Sequence, residues 1–391
     1  MLEGKTFLFV SNCYGEDIAA SLIARSLVEI ATEKSLELDV YGASLISSGE
    51  EYTKRGIRLV FSSSLPPSGG FPTKSISGFF ADFFSGSLFN IFSFLKRLEE
   101  LKGEIDIIFV VGDVFLLYLV RKIFKKEMVI FFALAKSDYF MPHYRIEKKY
   151  IKKNADLVFA RDSLTAENLR EYGINAFYLG NPLIDCLDPE GLRLDLPLDK
   201  KVIGILPGSR KESYKNFLLI LNLIKKIERK DLIFVAAFPK TLDERYLKNC
   251  LINAGYSYVD STPFPEIIIK ENKVIITKGY FVDVVDMSTI LIGLAGTANE
   301  QAAGRGKPVI SFRGCGPQTT PQRMKEQERL MGGAIKFVRD YPDGVIREIL
   351  FLLENEKERE RRGKIGRERM GELGAAKKIA EFLFSLKKAL V

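Results

Sequence analysis

One histidine, His143, and no tryptophan stand in 391 residues. A single imidazole leaves little room for a metal centre built on several histidine rings. The four cysteines, Cys13, Cys186, Cys250 and Cys315, are scattered, with no Cys-x-x-Cys pair and no ligand spacing. They exclude a disulfide framework and point to a reducing compartment. No run of 18 apolar residues occurs, and the longest candidate, 105–120, is interrupted by Asp106, Gly112 and Asp113. A membrane-crossing helix is therefore not expected. Residues 1–10 read as the start of a strand and not as a signal peptide, because the apolar run is short and lacks a small-residue cleavage site. Basic residues are not interleaved with aromatics along a strand, which argues against nucleic acid as a partner.

What is present is an ordinary globular composition, 47% hydrophobic and 28% charged, long enough for two or three domains. The net charge of +8 favours anions such as nucleotides or acidic lipid surfaces, or simply aids solubility. Abundant Lys and Glu with scarce His fit a thermophile's bias.

Apolar runs of strand length fall at 6–10, 36–41, 58–61, 105–111, 128–132, 157–160 and 176–179, with helical patterns between them. The pattern restarts at 202–206 and continues at 232–238, 257–259, 274–277, 289–294 and 308–312. Alternating β and α periods predict an α/β fold of two Rossmann-like domains with a cleft between them. The expected division is 1–185, a Pro-, Asp- and Gly-rich linker at 186–200, a second domain at 201–372, and a final helix, 373–391, crossing back to the first.

Two stretches of the second half suit an anionic ligand. At 290–312 an apolar strand leads through small residues, Gly296, Thr297 and Ala298, into a helix with Glu300 in its first turn. Small residues let the backbone approach a ligand, the helix start offers unpaired N–H groups, and a carboxylate there can hold ribose hydroxyls. The plain alternative is a βα turn with a solvated Glu. At 205–210 a strand ends in Pro207-Gly208-Ser209-Arg210, which supplies backbone N–H groups, a hydroxyl and a bidentate cation for a diphosphate.

These residues carry a resemblance. Leu206-Pro207-Gly208-Ser209-Arg210 is similar to the Leu-Pro-Gly-Ser-Arg signature of lipid-A-disaccharide synthases. Gly296-Thr297-Ala298-Asn299-Glu300-Gln301 resembles their Gly-Thr-Ala-x-x-Glu segment, with Gln301 at the position of the Glu. Gly180-Asn181-Pro182 resembles the Gly-His-Pro that closes their first domain. The resemblance implies a GT-B glycosyltransferase with a UDP-sugar in the second domain. It places Arg210 on the diphosphate and Gly296, Thr297 and Ala298 along the phosphates. It puts Gln301, or the chemically better suited Glu300, on the ribose, and Gln318 of the Gly316-Pro317-Gln318 loop near the donor sugar.

In the first half, a buried strand ends in Gly112-Asp113, and a metal-independent inverting transfer needs one base for the acceptor hydroxyl. Asp113 is the first candidate; capping of the next helix is the plain alternative. The loop 11–17 offers Asn12, Gly15 and Asp17 to an acceptor and Glu16 as a second candidate base, against the reading of an N-cap cluster. Seven phenylalanines within 75–95 make the segment 79–95 a candidate contact with a membrane surface, or a buried helix pair. His143 reads as structural more than catalytic, and 148–153 as a solvated basic helix face.

The expected function is transfer of an N-acetylglucosamine-type unit from a UDP-sugar to a lipid-linked or saccharide acceptor. No cofactor and no metal are expected, and the place is the cytoplasm or the inner face of its membrane. The alternatives are a UDP-sugar 2-epimerase, which needs several acid–base groups, and a non-catalytic sugar-nucleotide or lipid-binding protein.

Overall fold

The computed structural model describes residues 2–63 and 88–385, so most of the phenylalanine-rich stretch lies outside the described residues. The chain forms two compact units, Met1–Cys186 with Gly371–Val391, and Leu187–Met370.

The first unit is a seven-stranded sheet. Its strands are β1 (Lys5–Ser11), β2 (Leu38–Ser44), β3 (Arg58–Phe61), β4 (Ile107–Val111), β5 (Met128–Ala133), β6 (Leu157–Ala160) and β7 (Ala176–Phe177). The order is β3-β2-β1-β4-β5-β6-β7, with every pairing parallel. Helices cover both faces, so the strands read as continuous apolar runs and not as alternating ones. Phe7, Leu8, Phe9 and Val10 of β1 are all fully buried. Phe109 stacks on Phe9 at 4.9 Å and on Phe159 at 5.9 Å. The last described helix, Ala375–Ser385, packs on the first, Tyr14–Glu33. Its Phe382 lies 5.7 Å from Phe159 and 4.7 Å from Phe177. Asp185 fixes where that helix begins, accepting hydrogen bonds from the N–H groups of Gly374 (2.7 Å) and Ala376 (2.6 Å).

The second unit has eight strands: β8 (Lys201–Leu206), β9 (Leu232–Phe238), β10 (Ser257–Val259), β11 (Glu266–Ile269), β12 (Asn272–Lys278), β13 (Ile290–Gly293), β14 (Val309–Ser311) and β15 (Ile335–Phe337). Their order is β10-β11-β12-β9-β8-β13-β14-β15. Only the β10–β11–β12 edge is antiparallel. Two of these strands, β11 and β15, are absent from the sequence reading. The β11–β12 hairpin turns through Lys270, at φ 54°, and Glu271, without the Asn-Gly pair that usually announces such a turn. Residues 188–200 carry no helix or strand. Asp283 ties them down by accepting the N–H groups of Glu190, Gly191 and Leu192 at 2.8–2.9 Å.

Each sheet has one place where the chain order reverses, between β1 and β4 in the first and between β8 and β13 in the second. Loops leaving the carboxyl ends of such strands diverge and open a crevice for ligands.

Candidate functional site

At the β1/β4 switch point two acidic loops meet. Strand β1 ends at Ser11 and the Tyr14–Glu33 helix starts behind Cys13, its N-cap. Glu16 reaches back to accept the N–H groups of Asn12 and Cys13, both at 3.2 Å. This is the reciprocal capping arrangement that satisfies donors at a helix start. Strand β4 ends at Val111, and Asp113 caps the Val114–Ile123 helix by accepting the Leu116 N–H at 2.9 Å. Gly112 lies between them at φ 151°, where a Cβ would stand 3.2 Å from Glu16 Oε2. Glycine here gives Glu16 the space beside Asp113.

The two carboxyls are electrically unequal. Burial pushes Glu16 up to about 8, and the Asp113 charge adds to that rise. Asp113 is also raised by burial; the N–H groups of Leu116 and Phe115 pull it back, the Glu147 carboxylate raises it, and the Lys136 ammonium opposes Glu147. Burial thus favours the protonated form of both carboxyls, opposed at Asp113 by the N–H groups that its side chain caps. The Cys13 thiol is raised by burial and by Glu16, so it stays protonated and a poor nucleophile.

The other first-loop residues divide. Asn12 Oδ1 is buried with no hydrogen-bond partner among the described residues. Gly15 is half-buried in the first helical turn. Asp17, grouped with them in the sequence reading, is fully enclosed. Its carboxylate accepts from Ser11 Oγ (2.6 Å), Ser44 Oγ (2.9 and 3.1 Å) and Ser47 Oγ, and Tyr52 closes on Ser11 at 2.6 Å. Asp17 thus ties together the ends of β1 and β2. His143 is buried with Nδ1 3.8 Å from Asp138 Oδ1, and Asp138 also accepts from Asn168 at 2.5 Å.

At the β8/β13 switch point the groups are different. Gly208, at φ 104°, turns the chain after β8, and a Cβ there would stand 3.3 Å from the Leu294 carbonyl. Ser209 and Arg210 are exposed behind it. Beyond β13, Gly296 precedes the Thr297–Gly304 helix, with Thr297 exposed and Ala298 and Glu300 half-buried. Gln301 is buried. Two amides clamp this turn. Asn299 Nδ2 donates to the Gly293 carbonyl (3.2 Å) and to Gln327 Oε1 (3.0 Å). Gln327 Nε2 donates to the Gly296 carbonyl (2.9 Å) and to Glu300 Oε1 (3.3 Å). Asn216 ties the neighbouring loops, donating to the Pro207 carbonyl (3.2 Å) and accepting the Cys315 N–H (2.7 Å). Gln318 borders Gly296, its Oε1 3.5 Å from where a Cβ would stand. Gly208-Ser209-Arg210, Gly296-Thr297-Ala298, Glu300 and Gln318 therefore gather around one switch point.

Asn216 and Gln327, which hold the loops of the β8/β13 switch point together, are missed by sequence reasoning. Each acts through a partner distant in sequence, and no local motif marks them. Among the described residues there is no group of three or more His, Cys, Asp or Glu suited to a metal, and no helix is long and apolar enough to cross a membrane.

No family model matches the chain. A curated relative, the lipid-A-disaccharide synthase of Persephonella marina (strain DSM 14350 / EX-H1), is 28% identical over 240 residues. The match spans 58% of this chain and 60% of the relative's length. Among solved structures, a calicheamicin glycosyltransferase matches with TM-score 0.66 at 13% identity, covering 100% of both chains. The UDP-GlcNAc 2-epimerase of Neisseria meningitidis, bound to UDP-GlcNAc, matches with TM-score 0.59 at 19% identity, covering 97% of this chain and 100% of that one. An S. aureus protein solved with UDP matches with TM-score 0.60 at 14% identity, covering 98% of this chain and 97% of that one. The fold is GT-B, the architecture common to these glycosyltransferases and epimerases.

Proposed function

We propose that the protein is a UDP-sugar-dependent glycosyltransferase, moving an N-acetylglucosamine-type unit to a lipid-linked or saccharide acceptor with inversion. The observation that carries this reading is the meeting of two carboxyl groups, Glu16 and Asp113, at the β1/β4 switch point of a GT-B fold. In the step, the acceptor oxygen bonds to the anomeric carbon as the bond from that carbon to the UDP oxygen breaks. Asp113 takes the hydroxyl proton, and Glu16 is the second candidate for that role. Asn12 Oδ1, an acceptor with no partner among the described residues, and Gly15 are suited to hold acceptor hydroxyls. Arg210, with the N–H groups around Gly208, Ser209, Gly296, Thr297 and Ala298, takes up the diphosphate charge as UDP leaves. Glu300 holds the ribose and Gln318 borders the donor sugar, while buried Gln301 backs the helix. The reading calls on no metal or cofactor. The lipid-A-disaccharide synthase relative supports a lipid-linked acceptor. So do Phe92 and Phe115, exposed on the Leu88–Glu100 and Val114–Ile123 helices, which suit a peripheral place at a membrane surface.

UDP release from a panel of UDP-sugars, with and without membrane lipid extract, tests the proposal. Release that depends on extract is expected; UDP-sugars left intact in every mixture would overturn it. A second reading, epimerisation at C2 of the sugar, is favoured by the structural likeness to UDP-GlcNAc 2-epimerases. A changed sugar still attached to UDP, formed without acceptor, would select it.

A further inference from the structure

Strand β14 pairs with β13 in parallel, Leu291↔Val309 and Ile292↔Ile310. Continued past the strand ends, that register sets Arg313 level with Ala295, the residue before the Gly296-Thr297-Ala298 turn. Side chains alternate along such a stretch. Ile310 and Phe312 are buried in the core with Ile292 and Leu294. Ser311 lies on the other side, its Oγ donating to the Gly293 carbonyl at 2.7 Å. A Cβ on Gly293 would meet Val309 Cγ1 at 2.8 Å and also Asn299 Oδ1, so the Thr297–Gly304 helix covers that same side. Arg313 follows Val309 and Ser311 in the alternation and falls on the side where this helix starts.

The backbone after Arg313 is held against the opposite wall of the switch point. A Cβ on Gly314 would stand 2.7 Å from Asn216 Oδ1 and 3.1 Å from Leu294 Cδ1. Asn216 accepts the Cys315 N–H at 2.7 Å while donating to the Pro207 carbonyl, beside Gly208. The Leu294 N–H donates to the Leu206 carbonyl at 2.8 Å. The Cys315 carbonyl accepts from Thr319 Oγ1 at 2.8 Å, which fixes the loop that carries Gln318. Arg313 is exposed and has no ion-pair or hydrogen-bond partner among the described residues. Arg323 of the following helix, by contrast, is already paired with Glu326 at 2.9 Å.

We propose that Arg313 is a second cation of the nucleotide site, meeting the phosphate next to the sugar in a bound nucleoside diphosphate sugar. The proposal rests on the reading of the β8/β13 switch point as a diphosphate site; it does not need glycosyl transfer. Arg313 shares its loop with Gln318, on the sugar side, and a guanidinium there meets the charge that grows on the departing diphosphate. The test is calorimetric titration of the full chain with UDP and with UMP. Arg313→Gln is expected to weaken UDP about tenfold or more and UMP within about twofold, with the melting temperature kept. Arg313→Lys should recover part of the loss. Lys226→Gln, which removes an exposed charge just past the far end of the Ser213–Ile224 helix, should leave both affinities unchanged. UDP affinity unmoved in Arg313→Gln would overturn the proposal and leave the diphosphate site standing. An equal loss for UDP and UMP, or the same loss in Lys226→Gln, would overturn it too. A wild-type chain that binds no UDP would end the site and the role of Arg313 together. UDP binding that follows Arg313 in a chain without turnover would remove glycosyl transfer alone.

Discussion

At the β1/β4 switch point the candidate groups are acidic, Glu16 buried and Asp113 half-buried, whereas at β8/β13 they are a cation, a hydroxyl and backbone N–H groups near the surface. On the proposed function, the same topology serves opposite electrostatic ends. A base has to keep its proton affinity near the working pH, and burial with one neighbouring charge does that for a carboxyl. A diphosphate already carries its charge, so its site needs donors that meet it, held in shape by neutral amides. Glycine follows the same division. Gly112 makes space for a second side chain, while Gly208 bends the backbone toward Leu294.

The comparison breaks most visibly at Asp113. Asp113→Asn is expected to lower kcat at least about a hundredfold while UDP affinity stays within about twofold. Steady-state kinetics beside calorimetric UDP titration checks this, and a loss of UDP binding would mean the two switch points are not separable. Arg210→Ala should do the reverse, weakening UDP by about ten- to a hundredfold through lost charge-assisted bonds, with the pH dependence of turnover kept. Glu300→Ala is expected to follow it with a smaller loss, and Gln301→Ala is its packing control. Gln327→Leu leaves Asn299 and the Gly296 carbonyl without their partner, which costs about 1–3 kcal/mol in denaturant unfolding and a few-fold in UDP affinity.

The smallest effect is one of slope. Burial pushes Glu16 up to about 8 in the folded chain from an ordinary value of 4.5. Between those values the folded chain keeps a proton that the unfolded chain releases, so stability falls as pH rises through that window and levels off above it. Glu16→Gln carries no such proton, and its melting temperature should fall less between pH 5 and pH 9. Parallel curves for the two proteins would show Glu16 ionised throughout.

The doubly wound architecture is legible in the sequence because parallel strands covered on both faces are apolar without interruption, as at Phe7–Val10 and Ile107–Val111. The βα turns of the candidate site are legible too, since Gly112-Asp113 and Gly208-Ser209-Arg210 directly follow such runs. That Glu16 and Asp113 meet is not, because their approach depends on β1 pairing with β4 at a separation of 100 residues, given by Phe7↔Ile107 through Ser11↔Val111. Gln327 and Asn216 hide for the same reason, being common polar residues on helices whose partners are set by tertiary packing. The Lys270-Glu271 hairpin escapes because a lysine takes the left-handed position that glycine or asparagine usually marks.

The helix that carries Phe382 has a consequence for biosynthesis. The first sheet is synthesised by residue 186, yet the aromatic ring that packs on Phe159 and Phe177 belongs to a helix made only after the second unit. At about 5–20 residues per second, that surface waits about 10–40 s on the ribosome while the second unit emerges. For that time the nascent first unit lacks the ring that covers Phe159 and Phe177. Expressed alone as residues 1–186, it would carry an uncovered apolar face; adding back 371–391 as a separate peptide should restore its solubility.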